Sequence, residues 1–382
     1  MKKVLIVFGT RPEIIKMYPV IDALQQAPEF EPFVLNTAQH REMTDMFLQT
    51  FGISPDQDLN LMQARQSLPD LSARILQAIS PVLEAEAPDM VLVQGDTTTV
   101  MMTALAAAYQ QIPVGHVEAG LRTPERYDPF PEEINRRVTG QLAALHFAPT
   151  QTAEEALLRE GQDPATVFRT GNTVIDALLK THQRHPDYNY PASLGMAPDT
   201  PFLLVTAHRR ENWGEPMAQI CQALLQLCQQ EPALQIVFPV HKNPVVRETV
   251  FPLLQNAPRI HLVEPLDYVP LMDCIRRCRL VLSDSGGLQE EAPALGKPVL
   301  VMRKTTERPE GLHYGTARLV GTETAEIVSN TLTLLRNPDA YAAMARAVNP
   351  YGDGQAADRI VQALRCYFGL SDTRPDPFDA IR

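Results

Sequence analysis

Short, nearly continuous apolar runs alternate with longer segments of helical character along most of this chain. Each run is three to seven residues long, and most are followed by a polar turn. They are Val4–Phe8, Pro32–Leu35, Met90–Gln94, Pro113–Val117 and His146–Ala148, then Phe202–Thr206, Leu234–Val240, Ile260–Val263, Leu280–Ser283 and Val299–Val301. Strands buried on both faces of a parallel sheet have this uninterrupted apolar character. The pattern predicts two series of alternating strands and helices, as in an α/β fold.

The segment Thr181–Thr200 interrupts the alternation. It is rich in Pro, Tyr, His and Asp and has no hydrophobic period, which favours a domain boundary. A chain of 382 residues also exceeds one average domain. We therefore predict two doubly wound Rossmann-like domains, residues 1–180 and 181–355, with a central cleft between their strand ends. The polar tail after Gly369 is expected to be frayed.

The composition narrows the classes of function. The formal net charge is −11, which argues against nucleic acid as a partner because phosphate backbones bind basic surfaces. Five cysteines, an odd number, favour reduced thiols, and we expect Cys274 and Cys278 to pack in the core rather than bind a metal. No apolar segment approaches the roughly 20 residues of a membrane span, and Val4–Phe8 is too short for a signal-peptide core. We expect a cytoplasmic protein without membrane contact.

The turn Asp284–Gly287 has the composition of an anion site. It follows the apolar run Leu280–Ser283 and precedes a helix-like segment, so free N–H groups and the positive end of the helix dipole favour a phosphate. Glu291, just behind the turn, is a candidate to bind sugar hydroxyls. Taken alone, the turn is equally well an ordinary connection with a capping serine and an acidic first helical turn.

Charged side chains cluster in the other turns at the predicted strand ends. They are the carboxylates Asp96, Glu118, Glu132 and Glu133, together with His208 and the cations Arg11, Lys16, Arg209, Arg210 and Arg308. Clustered carboxylates raise one another's pKa and so provide an acid and a base near neutral pH, while cations stabilise a diphosphate. Helix capping by Asp96 and solvation of Arg11 and Lys16 are the alternatives. The combination predicts acid–base chemistry beside a diphosphate.

Sequence signals for common cofactors and metals are absent. The Gly-x-Gly at Gly352–Gly354 does not follow a predicted strand, so a nicotinamide dinucleotide is not supported. Gly296-Lys297 is followed by Pro298 and so does not form a nucleotide-binding P-loop, and no His-Glu-x-x-His occurs. The Asp-x-Asp at residues 56–58 is interpreted as a solvated loop. We expect neither a cofactor nor a metal.

Seven segments, taken together and in this order, resemble the non-hydrolysing UDP-N-acetylglucosamine 2-epimerases. They are Gly9–Glu13, Gln94–Thr97, His116–Arg122, Pro131–Arg136, His208–Asn212, Asp284–Ala292 and Thr305–Gly311. The match runs from about Lys3 to Phe368. The resemblance implies a glycosyltransferase-B type fold, a C-terminal helix (residues 356–369) packing back on the first domain, and a homodimer.

The resemblance also implies the reaction. The family interconverts UDP-N-acetylglucosamine and UDP-N-acetylmannosamine without a cofactor, by eliminating UDP and adding it back to a bound 2-acetamidoglucal. By motif, the implied catalytic residues are Asp96, Glu118, Glu132 and His208. The residues implied to hold UDP and the sugar are Arg11, Lys16, Arg209, Ser285, Gly286, Gly287, Glu291 and Arg308. The second domain would then be the UDP-binding domain.

One family feature is matched incompletely. Some members bind UDP-N-acetylglucosamine at a second, activating site through a Gln-His-x-Gln segment and a downstream Arg. Gln39, His40 and Arg65 are retained here, but Glu42 stands where the second Gln is expected. Ionised Glu only accepts hydrogen bonds and adds negative charge near a diphosphate. We expect weakened activation, unless Glu42 is simply a solvated helix residue.

Three other functions fit parts of the pattern. The nearest is that of the hydrolysing relatives, which release N-acetylmannosamine and UDP. A glycosyltransferase of the same fold would need an acceptor pocket. A nucleotide-sugar-binding regulator would need the phosphate site but not the four candidate catalytic side chains.

Overall fold

Two parallel sheets, each with helices between its strands, account for most of the chain. The structure, a computed structural model, describes residues 1–38, 41–61 and 66–380, without the side chains of residues 41–44. The chain divides into two compact units: residues 1–179 with 351–380, and residues 180–350. The division at residues 179 and 180 falls within one helix, Thr173–Arg184. The predicted α/β class with two doubly wound domains is confirmed.

The first unit holds a seven-stranded sheet. Its elements in chain order are β1 (Lys2–Phe8), α1 (Arg11–Gln25), β2 (Phe30–Asn36), α2 (Arg41–Phe51), β3 (Gln57–Asp58), α3 (Leu68–Glu86), β4 (Met90–Gln94), α4 (Thr98–Tyr109), β5 (Val114–Val117), α5 (Glu132–Leu142), β6 (Leu145–Ala148), α6 (Gln151–Arg159), β7 (Val167–Arg169) and α7 (Thr173–Arg184). The strands pair in parallel in the order β3-β2-β1-β4-β5-β6-β7.

The second unit repeats this plan with six strands. Its elements are α8 (Tyr190–Ser193), β8 (Phe202–Thr206), α9 (Glu215–Gln230), β9 (Gln235–Pro239), α10 (Pro244–Leu254), β10 (Ile260–Val263), α11 (Tyr268–Arg277), β11 (Leu280–Ser283), α12 (Gly286–Ala294), β12 (Val299–Val301), α13 (Pro309–His313), β13 (Ala317–Leu319), α14 (Thr324–Arg336) and α15 (Pro338–Ala345). The parallel order is β10-β9-β8-β11-β12-β13.

The central strands are buried because helices cover both faces of each sheet. All five residues of β4 are buried, and the four residues of β11 are buried as well. In the second unit, one continuous core joins β8, β9 and β11 to the inner faces of α9 and α14, including Ile220, Leu224 and Ile327. This is why the apolar runs of the sequence predicted these strands closely.

The sequence interpretation missed three short strands. β3 has two exposed residues, and β7 and β13 have three residues each. Strands this short contribute too few apolar positions to produce a pattern. Helix α7 also continues to Arg184, into the stretch interpreted as a linker.

The last helix, α16 (Ala356–Tyr367), belongs to the first unit. The backbone N–H of Ala357 donates to Asp176 Oδ1 at 2.9 Å, so a buried carboxylate of α7 satisfies the start of α16. Burial raises the pKa of Asp176 to about 7. At the other end of the helix, Arg365 forms an ion pair with Glu29.

The expectation of a frayed tail after Gly369 is wrong. Phe378 is buried, and its N–H donates to Arg169 O, on edge strand β7, at 2.8 Å. Arg374 donates to the carbonyl oxygens of Ala165 at 2.8 Å and Val167 at 3.0 Å. The polar composition of the tail concealed one apolar anchor and an arginine that bonds backbone carbonyls.

The five cysteines are unpaired thiols, and Cys274 and Cys278 are buried. Burial raises the pKa of Cys278 to about 12, so this thiol stays protonated. Across the described ranges, no group of three or more His, Cys, Asp or Glu is placed to hold a metal ion. None of the helices in the described part of the chain is long and apolar enough to cross a membrane.

Candidate functional site

The strand order reverses direction next to the first strand of each sheet. In the first unit this point lies between β1 and β4, and in the second between β8 and β11. Open parallel sheets bind ligands where the loops after two such strands diverge. The loops concerned hold the segments 9–11 and 95–97 in the first unit, and 207–209 and 284–286 in the second. Most of the candidate residues lie in these loops or beside them.

Glu118 lies directly after β5, next to β4, in a left-handed backbone conformation with φ +62°. Non-glycine residues in that region cost roughly 1–3 kcal/mol and concentrate at functional sites. Its Oε2 lies 2.5 Å from Lys16 Nζ and also accepts a hydrogen bond from Gln94. Lys16, predicted to bind substrate, is therefore paired with a candidate catalytic carboxylate. The ammonium group of Lys16 and the side-chain amide of Gln94 fix the orientation of the Glu118 carboxylate.

Asp96 has a different partner. Nε and Nη2 of Arg136 each lie 2.9 Å from Asp96 Oδ2, and Asn135 donates to the Asp96 carbonyl at 2.8 Å. The capping alternative for Asp96 is wrong, because Thr97 caps α4 through a hydrogen bond from Val100 N at 3.3 Å. Asp96 is thus attached to α5 through two of its residues, which brings it to the helix that begins with Glu132.

Glu132 and Glu133 begin α5 and differ in role. Oε2 of Glu132 is buried and has no hydrogen-bond partner among the described residues. The Glu133 side chain is fully buried and binds Arg136 at 2.9 Å and Arg137 at 2.8 Å. Glu133 therefore anchors the arginine that holds Asp96, whereas the Glu132 carboxyl oxygen is the kind of group that a ligand satisfies.

Glu13 joins the two loops at the reversal point of the first unit. Its Oε2 accepts the N–H groups of Gly9 at 2.8 Å and Thr10 at 2.7 Å, and its Oε1 accepts the Thr97 hydroxyl at 2.6 Å. Burial raises its pKa, while these hydrogen bonds act to lower it. Gly9 has to be glycine, because a Cβ there would lie 2.0 Å from Thr37 Oγ1.

Asp284 performs the same task in the second unit. This fully buried carboxylate accepts the N–H groups of His208 and Arg209, both at 2.8 Å, through Oδ2. Asn212 Nδ2 donates to the same oxygen at 3.0 Å. Asp284 Oδ1 lies 2.8 Å from His208 Nδ1. The candidate catalytic histidine is thus held through both its backbone and its ring.

Helix α12 begins immediately after Asp284, with Ser285 as its N-cap. The Ser285 side chain makes no capping hydrogen bond, and its hydroxyl lies 3.9 Å from where a Cβ of Gly287 would be. A Cβ at Gly286 would lie 3.8 Å from Arg209 Nη2. Ser285, Gly286, Gly287 and Arg209 therefore lie together at the positive end of the helix dipole, where an anion is favoured.

Glu291 and Glu290 lie in the second turn of α12, not in its first turn as predicted. Glu291 Oε2 would lie 3.5 Å from a Cβ at Gly287, so its carboxylate reaches back to the glycine turn. Glu290 is buried and forms an ion pair with Arg308 Nε. Arg308, predicted to bind UDP, is anchored to α12 by this pair.

The loop that contains Arg308 is held by a second arginine. Arg303 binds Glu211 at 2.7 Å and Glu307 at 2.6 Å. Although burial acts to raise it, the pKa of Glu307 falls to about 2 because Arg303 stabilises the carboxylate. Glu307 Oε1 also lies 3.9 Å from Arg209 Nη1. The network connects the loop to the residues after His208.

Among the remaining candidates, Arg11 is the first residue of α1 and packs over the Phe47 ring, with Cζ 5.1 Å from its centroid. Gln39, His40 and Arg65 lie outside the described residues. Glu42 falls in α2, but its side chain is not described.

Three side chains with clear contacts were missed as site residues: Glu13, Gln94 and Asp284. Glu13 carried a usable signal, because Thr10 and Glu13 have the spacing of a capping box. Gln94 ends a strand whose other residues are apolar, and Asp284 follows a strand that begins with three apolar residues. A polar residue in such a place is a candidate for a buried contact.

Known proteins are similar in sequence to this chain over nearly its whole length. The sequence profile of the UDP-N-acetylglucosamine 2-epimerases matches residues 22–365. The chain belongs to that family. It is 52% identical over 372 residues to the UDP-N-acetylglucosamine 2-epimerase of Escherichia coli (strain K12), covering 95% of this chain and 98% of that one. The enzyme of the same name from Bacillus subtilis (strain 168) is 48% identical over 376 residues, covering 98% of each chain.

A solved structure of UDP-GlcNAc 2-epimerase from Neisseria meningitidis, bound to UDP-GlcNAc, is also similar. It superposes with a TM-score of 0.87 at 47% identity, covering 95% of this chain and 99% of that one. The resemblance to the epimerase family drawn from the seven segments is therefore confirmed.

In this member of the epimerase family, two histidines behind the carboxylates are neutral. His116 Nε2 lies 2.7 Å from Gly95 O, and so links β5 to the turn that holds Asp96. Burial lowers the pKa of both His116 and its neighbour on β6, His146, to about 4. His116 is thus a fixed support of the turn and is uncharged near neutral pH.

These histidines predict an acid-sensitive first unit. Because their pKa values are depressed in the fold, their stabilisation is complete above pH 6.5 and is lost as the pH falls toward 4. The variant His146→Phe has no imidazole at this position, so it avoids the loss of stability that His146 causes, about 3 kcal/mol at most. The free energy of unfolding, measured with urea, should fall less for the variant than for the wild type as the pH decreases across this window. The contributions of other titrating groups such as Asp176 are the same in both proteins and cancel in the comparison.

The exposed His185 provides the matched control. The difference in free energy of unfolding between His185→Phe and the wild type should stay constant with pH, because that ring is exposed to solvent. If the free energies of unfolding of His146→Phe and the wild type change in parallel with pH, folding does not lower the pKa of His146, and the prediction is wrong.

Proposed function

We propose that this protein interconverts UDP-N-acetylglucosamine and UDP-N-acetylmannosamine by elimination and re-addition of UDP, without releasing a free sugar. The observation that carries the proposal is the strained Glu118, fixed by Lys16 and Gln94 at the end of β5, the strand that pairs with the one before Asp96. The Neisseria meningitidis relative binds UDP-GlcNAc, which supports the substrate.

The proposed reaction needs a base and a stabilised leaving group. C2–H of the sugar is a poor acid, so a positioned carboxylate has to take its proton while the bond between C1 and the diphosphate oxygen breaks. A C1=C2 double bond forms, and UDP leaves as the anion. Adding UDP back to C1 with a proton on the opposite face of C2 inverts that centre.

The charges of the two units suit these two tasks. In the first unit, Glu118, Asp96 and Glu132 serve as the proton-transfer groups. In the second unit, the start of α12, Arg209 and the anchored Arg308 hold the diphosphate, with His208 beside them. Arg11 and Glu291 complete the proposed contacts to UDP and the sugar. The family resemblance also supports a homodimer as the functional form.

A reaction in heavy water tests the chemistry. The protein, with no nicotinamide added, should convert UDP-N-acetylglucosamine to UDP-N-acetylmannosamine that carries deuterium at C2, because the proton removed is replaced from solvent. Proton NMR of the time course measures this. Retention of the original hydrogen would exclude the base, and dominant release of free N-acetylmannosamine with UDP would assign the hydrolysing reaction instead.

Charge-removing variants test the carboxylates. Asp96→Asn, Glu118→Gln and Glu132→Gln keep shape but remove the charge, and each should lower turnover by roughly a hundredfold or more if it transfers a proton. The matched control is Asp89→Asn, since Asp89 pairs with Lys2 at 2.8 Å at the opposite end of β4. The control should retain nearly full turnover.

Near-normal turnover of a folded Asp96→Asn protein would reduce Asp96 to an anchor for Arg136. The same measurement on His208→Asn tests the contribution of the second unit.

A further inference from the structure

The buried Asp284 uses its two oxygens for different purposes. Oδ2 accepts three loop donors: the N–H groups of His208 and Arg209 and the side chain of Asn212. Oδ1 lies 2.8 Å from Nδ1 of the His208 ring. A carboxylate needed only to hold the loop would not require its second oxygen at the ring.

Asp284 is an ionised acceptor. Burial acts to raise its pKa, but the neighbouring His208 ring and the two loop N–H groups outweigh burial and hold the pKa below its usual value. The contact between Oδ1 and Nδ1 is close, at 2.8 Å, but it lacks the alignment of a regular hydrogen bond. An ionised carboxylate carries only lone pairs, and a lone pair on Nδ1 at this distance would be repelled, so the ring hydrogen lies on His208 Nδ1.

The other charged and titratable groups around the ring leave this pair intact. The His241 ring stacks on His208 with centroids 6.0 Å apart, and burial followed by the charge of His208 lowers the His241 pKa. Arg209, the next residue, directs Nη1 toward Glu307 at 3.9 Å. Arg247, near His241, forms an ion pair with Glu264 at 2.5 Å.

We propose that Asp284 is a positioning residue that fixes His208 with a proton on Nδ1, so that Nε2 is the nitrogen that gains the second proton and then donates it to the diphosphate of the substrate. When the ring is an imidazolium, the carboxylate offsets its charge and Nε2 presents a proton to the anion. The proposal rests on the function proposed above for its catalytic consequence, but the state of the ring does not depend on any activity.

The variant Asp284→Asn separates positioning from loop support. Its side-chain carbonyl can still accept the three loop donors, while its NH2 group faces Nδ1 and favours the opposite tautomer, with hydrogen on Nε2. The matched control is Asn212→Ala, which removes one donor to Asp284 Oδ2 and leaves the carboxylate facing the ring.

The 15N chemical shifts of the His208 ring nitrogens report the tautomer directly. The protein has nine histidines, and the His208 signals are those lost in His208→Asn. In the neutral ring, the wild type and Asn212→Ala should carry hydrogen on Nδ1, and Asp284→Asn should carry it on Nε2. Turnover of Asp284→Asn should fall roughly a hundredfold or more, the range of general acid–base catalysis, with a smaller change in KM.

Several results would overturn the proposal. One is a wild-type ring with hydrogen on Nε2, which decides the question even if Asp284→Asn fails to fold. A second is a switched tautomer with normal turnover, and a third is an equal loss in both variants with no tautomer change. A wild-type protein that fixes Nδ1–H but does not epimerise UDP-N-acetylglucosamine would refute the proposed function and leave the pairing of Asp284 with His208 standing.

Discussion

A buried carboxylate joins the loops at the reversal point of each sheet, and the candidate residues of each unit depend on the carboxylate of that unit. Glu13 binds the loops after β1 and β4, and Asp284 lies after β11 and binds the loop after β8. Each accepts two backbone N–H groups at a strand end that the sheet itself leaves unpaired. The candidate residues Asp96 and His208 lie within one residue of atoms that these carboxylates hold.

The three candidate carboxylates of the first unit have different environments. Glu118 is held by Lys16 and Gln94, and Asp96 by Arg136, whereas Glu132 keeps an oxygen with no hydrogen-bond partner among the described residues. A reaction that removes a proton from one face of C2 and delivers one to the other needs groups that are not equivalent. The structure provides that difference through the partners of each carboxylate.

Much of the fold could be predicted from the sequence, because two-sided burial makes central strands such as Met90–Gln94 continuously apolar. The glycine turn at Ser285–Gly287, where a helix begins, was also predictable from local composition. The contact partners of the charged side chains could not be predicted. Whether Lys16 contacts a phosphate or Glu118, and whether Arg308 contacts UDP or Glu290, depends on contacts between residues distant in sequence. The packing of Phe378 on β7 was missed for the same reason.

Amide hydrogen exchange at the two loops tests this account most directly. The N–H groups of Gly9, Thr10, His208 and Arg209 lie outside the strands, yet each binds a buried carboxylate, so they should exchange far more slowly than loop amides that face solvent. Glu13→Ala, which removes the acceptor, should speed exchange at Gly9 and Thr10 and leave His208 and Arg209 unchanged. Fast exchange at all four amides in the wild type would contradict the claim that each carboxylate holds the loops of its own unit.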